Sequence, residues 1–414
     1  MDRIKNKWFY ACIRAAIPAL LIHCSIGTVY CWSLIKADIA QYIGRSNSEV
    51  EWAFSLAIFF LGMSAAFGGS MVEKNVRKSS LISAICFSSG MVLTGVSIYF
   101  KSLIGIYLSY GVLMGIGLGI GYLSPVKTLM LWFSDKKGLA TGLAITGFGL
   151  AKVIASPAMV SLLGSVGLVK MFYILAAIYF CIMILGSILI KKPAGWEEET
   201  KKSDFKAASM FKNKTFIGIW LMIYINITCG LALISQEKDI MSYAGLSVIA
   251  IGSVSALTAI FNAGGRLVYS AVSDKLKDRK SIYNFMLSLS VLIIGITLLT
   301  NSINSGIVII IITLLCVINS TYGGGFSNLP TLLSDCFGMN DISKIHGLAL
   351  SAWAIAGLSG NQLSSFIYSK TGSYNNILYA ILVLYIIGLV ISFTMIKTNK
   401  NANENVTEFV KTSV

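Results

Sequence analysis

The sequence predicts an all-α polytopic membrane protein with twelve transmembrane helices. Of its 414 residues, 56% are hydrophobic and only 12% are charged, and its mean hydropathy is +0.76. A soluble domain carries about a quarter charged residues, and a disordered chain buries far less apolar surface. The apolar residues fall into runs of about 20, enough to cross a hydrocarbon core of roughly 30 Å as helices. Strand-like alternation is absent, which excludes a membrane β-barrel.

Twelve apolar runs define the predicted spans in chain order, and short loops rich in charged residues, Gly, Asn and Ser separate them. The first run begins at Trp8 and is too long for the apolar core of a signal peptide, so we expect it to be a membrane helix. The predicted spans are 8–35, 51–71, 79–100, 102–132, 138–163, 168–190, 213–235, 246–272, 282–300, 304–333, 345–368 and 374–396.

A polar stretch divides the twelve spans into six and six. Its sequence, KKPAGWEEETKKSDFKAASMFK, contains no apolar run. We therefore predict an N-terminal six-helix bundle over 1–190, a cytoplasmic linker over 191–212, a C-terminal six-helix bundle over 213–396 and a cytoplasmic tail over 397–414.

The two halves resemble each other. Glu73 in the loop after span two corresponds to Asp274 in the loop after span eight, and Pro125 in span four corresponds to Pro330 in span ten. Each pair is separated by about half the chain. A membrane chain built from two six-helix repeats typically binds its substrate near the bilayer midplane, where the repeats meet.

The net charge of +15 reflects membrane topology. Most of the 33 lysines and arginines lie in loops on the side of the N-terminus, which predicts that both termini are cytoplasmic and argues against a nucleic-acid partner. The Lys-, Ile- and Asn-rich composition favours a prokaryotic cytoplasmic (inner) membrane. We expect a monomer in the lipid bilayer.

No cofactor, metal site or enzyme activity is predicted. The eight cysteines form no CxxC pair and lie mostly in apolar runs, as packing residues do. The glycines of GIGLGIG (115–121) lie in an apolar run with no preceding strand, which argues against a dinucleotide loop. Their small-xxx-small spacing instead predicts close helix packing.

Four cations lie inside the predicted spans: Arg14, Lys127, Lys152 and Arg266. All 18 acidic residues fall in loops, tails or span edges. A cation deep in a membrane helix costs about 2.5–3.5 kcal/mol on insertion scales, so an anionic substrate is the natural partner. Arg266 follows two glycines, and its guanidinium can bind a carboxylate through two parallel hydrogen bonds. The alternative is an arginine that extends to the cytoplasmic surface.

Several segments resemble the major facilitator superfamily. GGSMVEKNVRK (68–78) and SDKLKDRK (273–280) resemble its two loop motifs, with Glu73 where Asp is usual. LWFSDKKGLATGLAITGFGLA (131–151), preceded by GIGLGIGYLSP (115–125), is similar to the oxalate/formate antiporter branch, which includes bacterial monocarboxylate transporters. The resemblance implies two pseudo-symmetric six-helix bundles that transport small carboxylates by alternating access.

The resemblance also implies a substrate site. The positions that match its substrate-binding residues are Arg266, Tyr30, Tyr122 and Asn262. The loop between spans two and three and the loop between spans eight and nine are expected to hold the cytoplasmic side of the transporter closed, as a latch. The residues expected to form this latch are Glu73, Lys74, Arg77, Asp274, Lys275 and Arg279.

Some positions depart from the oxalate transporters of that family. Trp353 stands where they place a lysine, and Phe148 and Phe326 stand where they place tyrosines. With Tyr322, these side chains are expected to form apolar walls that fit a monocarboxylate better than oxalate. We hypothesise that Lys152 supplies the second cation; the alternative is a lysine facing a polar cavity or the linker.

Two further titratable residues within the spans, His23 and Lys127, each allow two interpretations. His23 is a candidate proton acceptor, and a plain packed histidine is the alternative. Lys127 is a candidate proton or gate residue, or a lysine that extends to the surface. Arg14 is expected to be an interfacial anchor, and His346, which opens span eleven, is expected at the interface.

Together these observations predict a secondary active transporter of small organic anions, mono- or dicarboxylates such as lactate, pyruvate, formate or oxalate. Coupling is either exchange of one anion for another or symport with protons. Two alternatives remain: a carrier of the same fold for an unrelated solute, and a non-transporting carboxylate sensor.

Overall fold

The computed structural model describes residues 8–193 and 206–397. Residues 194–205 of the predicted linker and residues 398–414 of the predicted tail lie outside the described residues. Within the described ranges the chain forms helices and no β-strand, as the sequence predicts.

Twelve long helices follow one another along the described chain, and each corresponds to one predicted span. Eleven are long and apolar enough to cross a membrane. The other, α11, is more polar, but its 30 residues give a length of about 45 Å at 1.5 Å per residue. The helices are α1 Trp8–Ile43, α2 Asn47–Lys74, α3 Val76–Tyr99, α4 Leu103–Trp132, α5 Ser134–Val166, α6 Leu168–Leu189, α7 Lys214–Ile234, α8 Val248–Ser273, α9 Lys280–Leu299, α10 Val308–Phe337, α11 Ile342–Thr371 and α12 Tyr374–Met395.

Polar side chains fix where several helices begin. At α2, the hydroxyl of Ser46 accepts the N–H of Glu49, and the carboxylate of Glu49 accepts the N–H of Ser46 at 2.9 Å. This reciprocal capping box satisfies two N–H groups that the helix leaves unpaired. Asn75 and Asn213 cap α3 and α7 in the same manner with their amide oxygens. The end of α1 lies at Gly44, whose φ of 69° suits a residue without a side chain.

The helix α1 is not α-helical throughout. Over Gly27–Cys31 it tightens into a 3-10 segment that carries Tyr30. Such segments inside a long helix often mark a functional region.

The glycines of α4 pack as their spacing predicts. A Cβ on Gly119 would lie 2.0 Å from the carbonyl oxygen of Leu61 in α2, and a Cβ on Gly117 would lie 2.6 Å from the backbone nitrogen of Phe87 in α3. The two glycine pairs therefore bring α4 against two different helices.

The chain divides into two compact units. Among the described residues, unit 1 comprises 8–193, 206–207 and 337–354, and unit 2 comprises 208–336 and 355–397. In unit 1, α3 packs on α4 and α6, and α2 packs on α4, whereas in unit 2 α12 packs on α7 and α9. The predicted bundle boundaries stay a prediction, and the first part of α11 groups with unit 1.

Candidate functional site

In unit 2, Arg266 projects from α8 and is only 3% exposed. Its Nε donates to the amide oxygen of Asn262, one helical turn earlier, at 3.2 Å. Its guanidinium carbon lies 5.8 Å from the ring centroid of Phe326 on α10, a distance at which a cation is attracted to an aromatic face. Asn262 and Phe326 therefore help to orient the buried guanidinium of Arg266.

The neighbouring glycines explain how α8 approaches α10. A Cβ on Gly265 would lie 2.2 Å from the carbonyl oxygen of Ser320, whereas a Cβ on Gly264 meets nothing within 4 Å. The close approach at Gly265 brings Arg266 beside Phe326. The ring of Phe326 in turn contacts Tyr322 edge-on, with centroids 5.2 Å apart.

In unit 1, four predicted site residues converge. We call Tyr30, Tyr122, Phe148 and Trp353 the aromatic cluster. The ring centroid of Phe148 lies 5.4 Å from that of Tyr30, 5.9 Å from that of Tyr122 and 6.2 Å from that of Trp353. Tyr122 and Trp353 are 6.0 Å apart. These edge-to-face contacts are the preferred geometry of aromatic pairs, and they join α1, α4, α5 and α11 around one set of rings.

Two histidines adjoin the aromatic cluster. His23 on α1 is fully buried and stacks on Tyr122 with ring centroids 5.3 Å apart. His346 on α11 is 2% exposed, and its ring lies 5.8 Å from that of Tyr122. The first turns of α11 therefore pack into unit 1, and the membrane-interface position expected for His346 stays a prediction.

Lys152 lies on α5, one helical turn after Phe148. Its side chain is exposed, and its Nζ donates to the hydroxyl of Ser33 on α1 at 3.1 Å. The structure thus places this cation next to the aromatic cluster. Its role in binding the substrate stays a prediction.

Lys127 belongs to a different cluster. It is 2% exposed and forms an ion pair with Glu73 at the end of α2. The other oxygen of that carboxylate accepts the N–H of Ser343 at 2.7 Å, at the start of α11, where the helix dipole favours a negative charge. Lys192 donates to the backbone oxygen of Glu73 at 2.6 Å. For Lys127, the anionic partner is therefore an internal carboxylate and not a substrate, because Glu73 reaches it from the end of α2.

The corresponding loop of unit 2 uses other partners. Arg279 binds Asp274 at 2.7 Å and Asp335, near the end of α10, at 2.8 Å. Sequence reasoning missed Asp335, which lies far from the loop along the chain. The other three predicted latch residues have exposed side chains: Lys74, Arg77 and Lys275.

A buried carboxylate in unit 2 was also missed. Glu237 begins the short helix Glu237–Tyr243, is 8% exposed and accepts a hydrogen bond from Thr258 at 2.7 Å. Thr258, Asn262 and Arg266 recur every four residues, so they share one face of α8. That spacing was a usable signal for Thr258, whereas nothing local marks Glu237 as buried.

Comparisons with known proteins agree with this architecture. Residues 19–361 match the family model of the Major Facilitator Superfamily. The oxalate:formate antiporter of Oxalobacter formigenes is 26% identical over 376 residues, which cover 89% of this chain and 86% of the antiporter. Monocarboxylate transporter 11 of Homo sapiens is 23% identical over 388 residues, which cover 89% of this chain and 78% of that transporter.

A solved structure shares the fold. The proton:xylose symporter XylE, bound to 6-bromo-6-deoxy-D-glucose, aligns over 98% of this chain and 99% of its own with a TM-score of 0.73 at 15% identity. The family match extends over most of the chain, and the apolar helices have the length that a multi-pass membrane protein needs. This protein belongs to the major facilitator superfamily of transporters.

Proposed function

We propose that the protein is a secondary active transporter of small organic anions, with a preference for monocarboxylates. The observation that carries this proposal is Arg266, a guanidinium buried in a membrane helix and oriented by Asn262 and Phe326. The planar guanidinium matches a carboxylate through two parallel hydrogen bonds.

In unit 1, the aromatic cluster is the candidate binding surface. The rings of Phe148 and Trp353 would pack against a methyl or hydroxyalkyl group, and the hydroxyls of Tyr30 and Tyr122 would donate to a carboxylate oxygen. In unit 2, Tyr322 and Phe326 would add apolar surface. The names of the two relatives, an oxalate:formate antiporter and a monocarboxylate transporter, agree with a small carboxylate as substrate.

Transport would proceed by alternating access in a prokaryotic cytoplasmic membrane, with both termini in the cytoplasm. The Glu73–Lys127 and Asp274–Arg279–Asp335 clusters would stabilise the cytoplasmic ends of the helices in one state and open in the other. The driving force would be a proton gradient or the exchange of one anion for another.

The test is uptake of labelled formate, lactate and oxalate into proteoliposomes, with and without an inward proton gradient and with and without preloaded anion. The variant is Arg266→Gln, and the matched control is Arg14→Gln, another arginine within a membrane helix. We expect monocarboxylate uptake that Arg266→Gln abolishes and Arg14→Gln retains.

Other outcomes would contradict the proposal. If no carboxylate moves in any mode, the substrate class is wrong. If the Arg266→Gln variant matches the native protein, the central residue is wrong. Saturable carboxylate binding without uptake would instead support a sensor.

A further inference from the structure

The chain contains two histidines, and both contact the same tyrosine ring. His23 stacks on Tyr122 from α1, and His346 reaches it from α11. Both histidines are almost wholly buried. Two titratable rings therefore pack on Tyr122, which we propose binds the substrate.

The surroundings of His23 distinguish it from His346. Its Nδ1 lies 2.9 Å from the backbone oxygen of Ala144 on α5, and its Nε2 lies 3.2 Å from the backbone oxygen of Tyr122 on α4. Carbonyl oxygens only accept hydrogen bonds, and a neutral imidazole has a single N–H to donate. One lone pair of a neutral ring would therefore face a carbonyl oxygen at hydrogen-bonding distance. The doubly protonated ring donates to both oxygens.

The titratable groups described next to His23 come from three helices. Its titratable neighbours are Tyr122 from α4, His346 from α11 and Cys24 on its own helix, whose thiol donates to Gly147 on α5. From α6, Gly186 faces this part of α1. The next charged group on α4 is Lys127, which is ion-paired with Glu73.

We propose that His23 is a proton-binding site and that its proton is carried together with the anion. This inference rests on the proposed function and deepens it, because it selects proton symport over anion exchange. The protonated ring links α1 to α4 and α5 through two hydrogen bonds, and the stacked face of Tyr122 attracts its charge. One proton with one monocarboxylate makes the transported pair electrically neutral.

Loss of the proton has a defined structural effect. One of the two hydrogen bonds becomes a contact between a lone pair and a carbonyl oxygen, which disfavours the packing of α1 against α4 or α5. Because Tyr122 belongs to the aromatic cluster, the protonation of His23 changes the surface that we propose binds the anion. Proton binding and anion binding therefore stabilise the same arrangement of unit 1.

The first test needs no substrate. Protein labelled with nitrogen-15 in histidine is reconstituted in lipid bilayers, and its ring nitrogens are observed by NMR between pH 5 and pH 9. The His346→Gln variant contains His23 alone, so the assignment does not depend on whether a His23 variant folds. We expect two protonated ring nitrogens at low pH and reversible loss of one proton within this range. A ring with one N–H at every pH, or with two at every pH, would overturn the proposal.

The second test measures coupling. Anion uptake is measured in proteoliposomes with and without an inward proton gradient. His23→Gln is expected to abolish the stimulation of uptake by the gradient, whereas His346→Gln is expected to retain it. Full stimulation in the His23→Gln variant, or its loss in His346→Gln alone, would overturn the proposal. If His23 titrates as expected but no carboxylate is transported by any variant, the proton site is supported and the carboxylate proposal fails.

Discussion

Lys127 and Arg266 are nearly equally buried, at 2% and 3% exposure, yet their neighbours differ in kind. Lys127 in unit 1 is paired with a carboxylate, Glu73. Arg266 in unit 2 is contacted by the neutral amide of Asn262 and the ring of Phe326. Burial of a cation in a membrane helix does not by itself indicate a substrate ligand, since an internal acid can satisfy the charge. The ion pair with Glu73 therefore favours a structural role for Lys127.

The largest effect is expected where the internal ion pair is broken. Lys127→Met leaves the carboxylate of Glu73 largely buried without its cation, which costs about 3–5 kcal/mol for a buried pair. Unfolding in detergent should show this loss of stability, and the double variant Lys127→Met/Glu73→Gln should recover part of it. Equal stability of the native protein and the single variant would contradict the assignment of Lys127 to structure.

The second effect tests the shape of the cation rather than its charge. Arg266→Lys keeps the charge but loses the planar fork, so we expect anion affinity to fall by about 10- to 100-fold, or roughly 1.4–2.8 kcal/mol. Competition binding or the KM of uptake measures this change. The matched exchange Lys127→Arg should leave anion affinity nearly unchanged. A large fall with Lys127→Arg would remove the distinction between the two cations.

The third effect tests what positions Arg266. Gly265→Ala forces α8 away from α10 and is expected to destabilise unit 2 by about 1–3 kcal/mol, as overpacking does, while weakening anion binding. Gly264→Ala, one residue earlier, has room for its methyl group and should be close to neutral in thermal unfolding. Similar losses in both variants would show that close packing at Gly265 is not what holds the arginine.

The smallest effect concerns the exposed cation of unit 1. Lys152→Gln removes a charge that is largely solvated and bonded to Ser33, so the change in anion affinity should be less than about 1 kcal/mol, or fivefold. A control, Lys170→Gln, alters another exposed lysine of unit 1, in the first turn of α6. If Lys152→Gln has the same effect as this control on affinity and selectivity, Lys152 does not supply the second cation.

Features within one helix were predictable, because helical periodicity fixes which side chains share a face. The spacing of Asn262 and Arg266 and the two glycine pairs of α4 are of this kind. Contacts between helices distant in sequence were not: neither the pair Glu73–Lys127 nor the approach of His346 to Tyr122 leaves a local pattern. Hydropathy gives the length of each span but does not specify its rotation about its own axis.

The 3-10 segment of α1 controls that rotation for the C-terminal part of the helix. Five residues, Gly27–Cys31, adopt it, and each rises about 2.0 Å instead of 1.5 Å and turns about 120° instead of 100°. Relative to an unbroken α-helix, the residues beyond are displaced by about 2.5 Å and turned by about 100°. The hydrogen bond between Ser33 and Lys152 therefore depends on the helical pitch of five preceding residues. A change in that pitch would exchange the side chains that α1 presents to α5 and would shift the C-terminal part of α1 along its axis by up to about 2.5 Å.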